Sequence, residues 1–227
     1  MPFLREIPFS DGTHVYVWEV SETIDELTAL CRQKGVDVAL GPKPKAGKRL
    51  AEVLVEHLLL NIIFGQPVAL EHTTEGRPYV SSRQEYLSVT HTSGLVCIAV
   101  NQEHSVGIDV ERRGERVLRV RTRFLNEAEQ RFIAADDVKA NLMAWTAKEA
   151  LYKVVEDDHA TMHDDLRLDP FKAGLGDTMT FTASCKGREY TLTSLAWRDY
   201  ILTLAVERCY AHEIIEQETS NQNNIEL

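Results

Sequence analysis

Apolar residues recur every three to four positions in the stretch that follows a loop rich in glycine, proline and lysine. This spacing is typical of an amphipathic helix, because residues three and four apart share one helical face. It predicts a core helix over Lys48–Phe64, with the apolar positions Leu50, Val53, Leu54, Leu58 and Ile62 facing the interior.

Three further helices follow from shorter signals. Residues 21–33 are predicted to form one, with Ser21 as its N-cap. Another begins at Asn126, where Glu129 completes a capping-box pattern, and runs toward Val138. The last covers residues 145–153, which join strong helix formers to charged groups.

Alternating apolar and polar residues predict strands elsewhere in the chain. Residues 14–100 and 106–206 share a similar coarse order of strands and helices, although no sequence repeat is visible. The predicted strands are residues 14–20, 86–90, 95–100, 105–111, 178–183, 189–196 and 200–207, with His91 in the turn between the second and the third.

The strand at residues 105–111 carries two carboxylates. Alternation puts Asp109 and Glu111 on one face, where Gly107 is expected to leave room for a ligand. Like charges at neighbouring positions disfavour ionisation of both, unless a cation sits between them or water screens them. A solvated edge strand is the alternative interpretation.

The helix at residues 145–153 supplies a third carboxylate. Trp145, Glu149 and Lys153 stand four apart on one stripe, so an acid and a base share the face that the indole draws toward the core. A surface Glu–Lys pair is the alternative. Combined with Asp109 and Glu111, Glu149 gives three oxygen ligands, which favours a hard cation such as Mg²⁺ over zinc.

Composition limits the possible functions. Hydrophobic residues make up 44% of the 227-residue chain, enough for one large core or two small ones. The formal net charge of -10 argues against general nucleic-acid binding. We expect no leader and no membrane span, and four scattered cysteines indicate free thiols in the cytoplasm: Cys31, Cys97, Cys185 and Cys209.

Two segments together resemble a known family. The residues VGIDVE (106–111), followed by WTAKEALYK (145–153), resemble the paired signature of the 4'-phosphopantetheinyl transferases, in particular the longer, monomeric surfactin-synthetase-activating (Sfp) type. The resemblance covers roughly residues 45–205. A third family element, an Ile-Ser-His-Ser-like strand end, is matched by Val89, Thr90, His91, Thr92 and Ser93.

The resemblance implies a fold and an activity. The fold would be α+β, a pseudo-dimer of two similar α/β halves (residues 1–104 and 105–212) with the active site in the cleft between them, followed by a polar tail (213–227). The reaction would transfer the 4'-phosphopantetheine arm of coenzyme A to a serine of an apo acyl or peptidyl carrier protein. It would require Mg²⁺, or alternatively Mn²⁺, and release adenosine 3',5'-bisphosphate.

The resemblance also implies residue roles. Asp109, Glu111 and Glu149 would hold the metal. Glu149, or a metal-bound water, would take the serine proton, and Lys153 would offset charge on the leaving phosphate, so the catalytic set is Asp109, Glu149 and Lys153. The residues expected to bind coenzyme A are Lys48, Arg49, Arg77, Pro78, Thr90, His91, Lys148 and Lys153.

The basic residues have solvated alternatives. Lys48 and Arg49 end a lysine-rich loop, Gly-Arg77-Pro78 is a common turn, and a single histidine is often a surface residue. Six arginines between residues 112 and 123 are expected to steer an acidic carrier protein, or to lie on a solvated face. They are Arg112, Arg113, Arg116, Arg119, Arg121 and Arg123.

Residues 154–165 depart from the family pattern, because they are acidic and contain no glycine. The departure leaves the shape of the pantetheine pocket open. His159 and His163 stand four apart there, which suits either a transition metal on a helix or an acidic loop.

Two other functions stay open from the sequence. A non-catalytic relative could bind coenzyme A or a carrier protein, and a Mg²⁺-dependent phosphohydrolase could use the same carboxylates. The pathway served, whether fatty acid, polyketide or nonribosomal peptide biosynthesis, is not encoded in these motifs.

Overall fold

The protein is described by a computed structural model covering residues 3–37, 47–155, 157, 159–174 and 176–208. Five helices lie in these ranges: α1 (Ile24–Gln33), α2 (Lys48–Phe64), α3 (Arg116–Phe124), α4 (Glu127–Phe132) and α5 (Val138–Val154). The strands are β1 (Phe3–Pro8), β2 (His14–Glu19), β3 (Glu71–His72), β4 (Pro78–Tyr79), β5 (Tyr86–Thr92), β6 (Leu95–Asn101), β7 (Val106–Arg112), β8 (Arg167–Leu168), β9 (Thr178–Cys185), β10 (Arg188–Trp197) and β11 (Tyr200–Glu207).

The long strands form two antiparallel sheets. The first sheet has the order β1-β2-β6-β5, and the second has the order β7-β11-β10-β9-β8. β3 and β4 make a separate two-stranded hairpin. β5 and β7 are therefore edge strands of different sheets.

Apolar residues bury both faces of β6, β7 and β11, whereas β9 and β10 alternate buried with more exposed residues, and the result is a layered mixed α/β structure. Inward-facing residues of the two sheets, such as Val17, Cys97 and Ile108, form a shared core. The opposite face of the first sheet packs on α1 and α2, for example through Trp18. The opposite face of the second sheet packs on α5, and α3 packs on α5 in turn.

Helix α2 begins and ends where the periodicity predicts. Its buried face differs from the predicted one. Val55 and Leu59 are fully buried although they were not predicted to be, whereas Ile62 is 42% exposed. Polar residues also enter this face, including Glu52 and Glu56.

Several predicted boundaries are wrong. Helix α1 is capped by Thr23 rather than Ser21, because Thr23 and Glu26 form a reciprocal capping box. His91 lies inside β5 and not in a turn, since pairing continues to Thr92. The capping box of Asn126 and Glu129 is confirmed, but α4 ends at Phe132.

Helix α3 and strand β1 were not predicted. The tail at residues 213–227 and most of the lysine-rich loop, residues 41–46, lie outside the described residues. None of the described helices combines the length and the apolarity that crossing a membrane requires.

Gly107 sets the distance between β7 and α5. A Cβ at this position would lie 1.9 Å from the carbonyl oxygen of Ala150 and 3.0 Å from the amide nitrogen of Val154. The expectation that Gly107 leaves room for a ligand is therefore wrong. The space is filled by the backbone of α5, which rests directly on the strand.

We predict that Gly107→Ala lowers the free energy of unfolding by at least about 2 kcal/mol, because the new methyl group meets backbone atoms that have no free rotation. Chemical denaturation measures the change. Gly114→Ala is the matched control, since a Cβ there meets no atom within 4 Å. Equal stability of the two variants would contradict the close packing of α5.

Candidate active site

The two carboxylates of β7 face helix α5, as the alternation predicts. Val106, Ile108 and Val110 enter the core between the sheets, which leaves Asp109 and Glu111 on the opposite face. Asp109 is buried and lies opposite Thr203 of β11. Pairing with β11 therefore holds the backbone of β7 at the position of the buried carboxylate.

Helix α5 presents Trp145, Glu149 and Lys153 to this face. The Lys153 ammonium donates to Asp109 Oδ1 at 3.0 Å and to the carbonyl of Ile108 at 2.7 Å. The indole N–H of Trp145 donates to Glu111 Oε1 at 3.4 Å. The two segments that resemble the family signature therefore pack against each other.

The site has more negative than positive charge. Burial, followed by the charge of Asp109, raises the pKa of Glu149 from 4.5 to about 7. Burial and the same carboxylate also raise the pKa of Glu111. Glu111 and Glu149 therefore hold protons more tightly than exposed acids do, unless a cation replaces those protons.

One oxygen of the site has no partner among the described residues. Asp109 Oδ2 is buried and makes no hydrogen bond within that part of the chain, whereas Oδ1 accepts from both Thr90 and Lys153. A buried carboxylate oxygen without a donor costs free energy and suits a hard cation. Within the described ranges, however, no three acidic, histidine or cysteine side chains lie close enough together to hold one metal ion.

A cavity of about 410 Å³ is lined by Lys153, the lysine that donates to Asp109. Five of the residues expected to bind coenzyme A line it: Arg49, Arg77, Pro78, His91 and Lys153. Residues from α2, the β3–β4 hairpin, β5 and α5 therefore converge on one space. The exposed aromatic residues Tyr79, Tyr86 and Tyr152 also line it.

The cations of this cavity are partly balanced by buried acids of α2. Arg49 pairs with Glu56 at 3.0 Å and with Glu52 at 3.4 Å. His91 Nδ1 lies 3.4 Å from Glu52, and burial lowers the pKa of this histidine. Glu52 and Glu56 were not predicted to take part in the site, although their helical spacing from Arg49 is visible in the sequence.

Arg77 and Lys48 differ in their placement. Arg77 donates to the carbonyl of Val155 at 2.6 Å, which ties the β3–β4 hairpin to the end of α5. Lys48 does not line the cavity, and 62% of its side chain is exposed.

Lys148 is not placed to bind coenzyme A, and that prediction is wrong. Its side chain is fully buried, and its ammonium donates at 2.7 Å to the carbonyls of Phe124 and Met162 and to the carboxylate of Glu129. Three donated hydrogen bonds use all the hydrogens of an ammonium group. Lys148 is a structural residue that joins α5 to three other segments.

Glu129 has a second role that the sequence did not reveal. The same carboxylate that caps α4 accepts from Lys148 and from the amide of Leu168. Its capping pattern was recognised, but its ion pair joins residues far apart in sequence.

A second cleft, of about 550 Å³, opens on the other side of Glu111. Its walls are apolar, with Val117, Val120, Phe124 and Leu142, and its rim carries basic residues. These are Arg112, Arg116 and Arg123. Arg121, by contrast, turns inward and binds Asn141, Gln130 and the carbonyl of Ile133.

His159 and His163 do not lie on a helix. His163 hydrogen-bonds to the neighbouring Asp164 at 2.6 Å. The alternative of a helical transition-metal site is therefore not supported by the backbone in this region.

Comparison with known proteins agrees with the motif analysis. Residues 105–205, less than half of the chain, match the family model of the 4'-phosphopantetheinyl transferase superfamily. The matched region contains β7 and α5, which carry Asp109, Glu111, Glu149 and Lys153. The match indicates a transferase, with transfer of phosphopantetheine as its general chemistry. No curated protein matches the chain.

The first prediction about the candidate active site concerns Glu149 in metal-free protein. Its pKa is higher in the folded than in the unfolded chain, so the folded state binds more protons and stability falls as pH rises from about 4.5 to about 7. Glu149→Gln should therefore raise the free energy of unfolding at pH 8 by about 1 to 3 kcal/mol.

Denaturation in chelator at pH 4 and pH 8 measures this effect. The gain should disappear toward pH 4, where the carboxyl is protonated in both states. The exposed Glu127→Gln is the control. A Glu149→Gln gain that does not change with pH would contradict the raised pKa.

The second prediction concerns Lys148. Lys148→Met should lower the free energy of unfolding by about 3 kcal/mol, because it leaves the Glu129 carboxylate buried without its cation. Lys139→Met, on the same helix but nearer the surface, should cost less than about 1 kcal/mol. If Lys148→Met instead left the stability unchanged and weakened coenzyme A binding, Lys148 would belong to the coenzyme A site.

Proposed function

We propose that this protein transfers the 4'-phosphopantetheine arm of coenzyme A to a serine of an apo acyl or peptidyl carrier protein, with Mg²⁺ and with release of adenosine 3',5'-bisphosphate. One observation carries the proposal. Lys153 bridges the two parts of the site, since it bonds to Asp109 and also lines the cavity with Arg49, Arg77 and His91.

The residue types present suit a divalent cation, although their carboxylates would have to move closer together to share one, because no three such side chains of the described ranges lie close enough as they stand. Asp109, Glu111 and Glu149 would hold it, and Asp109 Oδ2 is a buried oxygen in need of a partner. When bound, Mg²⁺ would neutralise charge on the pyrophosphate and orient it. Mn²⁺ has similar ligand preferences and is an alternative.

The chain's own groups supply the rest of the chemistry. Arg49, Arg77 and His91 would bind phosphates of coenzyme A, and the Lys153 ammonium would balance charge that develops on the leaving phosphate. The carboxylate of Glu149 would accept the serine proton. The turn at Arg77 and Pro78 would lie along the adenine.

The second cleft supports a docking surface for the carrier protein. Its apolar floor and the three arginines Arg112, Arg116 and Arg123 complement a helix that is acidic outside and apolar underneath. The cleft shares Glu111 and Trp145 with the metal site. A carrier bound there would bring its serine near the carboxylates.

The subfamily, the pseudo-dimer arrangement, the oligomeric state and the location are inferences that go beyond the superfamily match. We infer a pseudo-dimer of the Sfp type, with halves at residues 1–104 and 105–212 and the active site in the cleft between them. Each half contributes one large sheet and at least two helices. We also infer a monomer in the cytoplasm, where the buried thiols Cys31, Cys97 and Cys185 would stay reduced.

Asp109→Asn tests this function. Incubation of an apo acyl carrier protein with the protein, coenzyme A and Mg²⁺ should add one phosphopantetheine group, detected by intact mass spectrometry. Chelator should abolish the addition, and Asp109→Asn should reduce the initial rate by roughly 100-fold or more, because it weakens metal binding.

Glu103→Gln is the matched control, since its side chain is 83% exposed in the loop that follows β6. It should retain the wild-type rate. Coenzyme A binding without transfer to any carrier would favour a non-catalytic binding protein. Phosphate release without a carrier would favour a phosphohydrolase.

A further inference from the structure

The edge strands β5 and β7 meet without belonging to one sheet. Backbone pairing joins β5 to β6 and β7 to β11 among the described strands. Hydroxyl side chains make the connection across the junction instead. They come from Ser88, Thr90 and Thr92, which alternate along β5 and so share one face.

Each hydroxyl reaches a different group of β7. Ser88 Oγ accepts from the amide of Ile108 at 3.1 Å. Thr90 Oγ1 donates to Asp109 Oδ1 at 3.1 Å, and Thr92 Oγ1 donates to Glu111 Oε2 at 3.4 Å. The first bond holds the backbone, whereas the other two hold carboxylates.

The bond from Thr90 determines which oxygen of Asp109 is available. Oδ1 already accepts from Thr90 and from Lys153, while Oδ2 accepts from neither and is buried. Thr90 itself is 5% exposed, so its hydroxyl is not replaced by water. Thr90 and Lys153 therefore occupy Oδ1 of the carboxylate and leave Oδ2 for another partner.

Glu111 is held in a similar but looser way. Trp145 donates to its Oε1 and Thr92 to its Oε2, both at 3.4 Å. These long hydrogen bonds are weaker than those at Asp109. Glu111 can therefore move more easily when a cation binds.

We propose that Thr90 and Thr92 are positioning residues that orient Asp109 and Glu111 from the opposite sheet, so that Oδ2 of Asp109 is the oxygen left for a divalent cation. The inference rests on the metal site of the proposed function. It gives Thr90 a different role from the one implied by the family resemblance, which assigned this residue to coenzyme A. The cavity wall supports the difference, because Thr90 is not among the residues that line it.

Metal affinity measured without coenzyme A tests the proposal. Thr90→Val keeps the shape of the side chain and removes the hydroxyl. It should weaken Mg²⁺ binding by about 10-fold or more in isothermal titration calorimetry, as loss of a hydrogen bond to a ligand carboxylate does elsewhere. Thr90→Ser should restore most of the affinity, and Thr92→Val should show a smaller loss.

Two comparisons separate positioning from other roles. Ser88→Ala is the matched control, since its hydroxyl serves the backbone, and it should leave Mg²⁺ affinity at the wild-type value. Coenzyme A affinity in chelator should be the same for wild type and Thr90→Val. If Thr90→Val does not fold, as judged by thermal unfolding, the Mg²⁺ affinities of Thr92→Val and Thr90→Ser are compared with that of the wild type instead.

Failure of the metal site and failure of the positioning role would give different results. Wild-type protein that binds no Mg²⁺ would overturn the metal site and, with it, this inference. Wild-type binding that Thr90→Val and Thr92→Val retain in full would overturn the positioning role alone. Loss of coenzyme A binding with unchanged Mg²⁺ affinity would return Thr90 to the coenzyme A site.

Discussion

The contact between the backbone of α5 and Gly107 is the constraint on which the site depends. Since no side chain separates them, the helix lies close enough for Lys153 to reach Asp109 and for Trp145 to reach Glu111. Any larger residue at position 107 would push α5 outward and separate the carboxylates from their cationic and indole partners. Lys148 fixes the same helix from its other side, through buried bonds to Phe124, Glu129 and Met162.

Local patterns predicted the elements of the site, and the resemblance predicted most of its members. Alternation placed Asp109 and Glu111 on one face of β7, and helical spacing placed Glu149 and Lys153 on one stripe of α5. Both patterns depend only on the geometry of a single strand or helix. The superfamily match at residues 105–205 agrees with them.

The errors concern contacts between distant segments. The sequence could not show that Gly107 meets Ala150, that Lys148 pairs with Glu129, or that Thr90 bonds to Asp109. Each contact joins residues whose separation depends on the packing of whole elements. The spacing of residues within one strand or helix contains no information about that packing. His91 was misplaced for a related reason, because pairing with β6 extended β5 beyond its apolar residues.

The pairing of β7 with β11 has a consequence for how the site assembles. Thr203 lies opposite Asp109 in this pairing, and β11 ends at Glu207. During synthesis from the N-terminus, the strand that carries the acidic residues must therefore wait for a partner made long after it. Such contacts between remote segments slow folding, because a long loop must close before they form. A nascent chain that stopped before residue 200 would have α5 but would leave β7 without its backbone partner β11 and open to association with other chains.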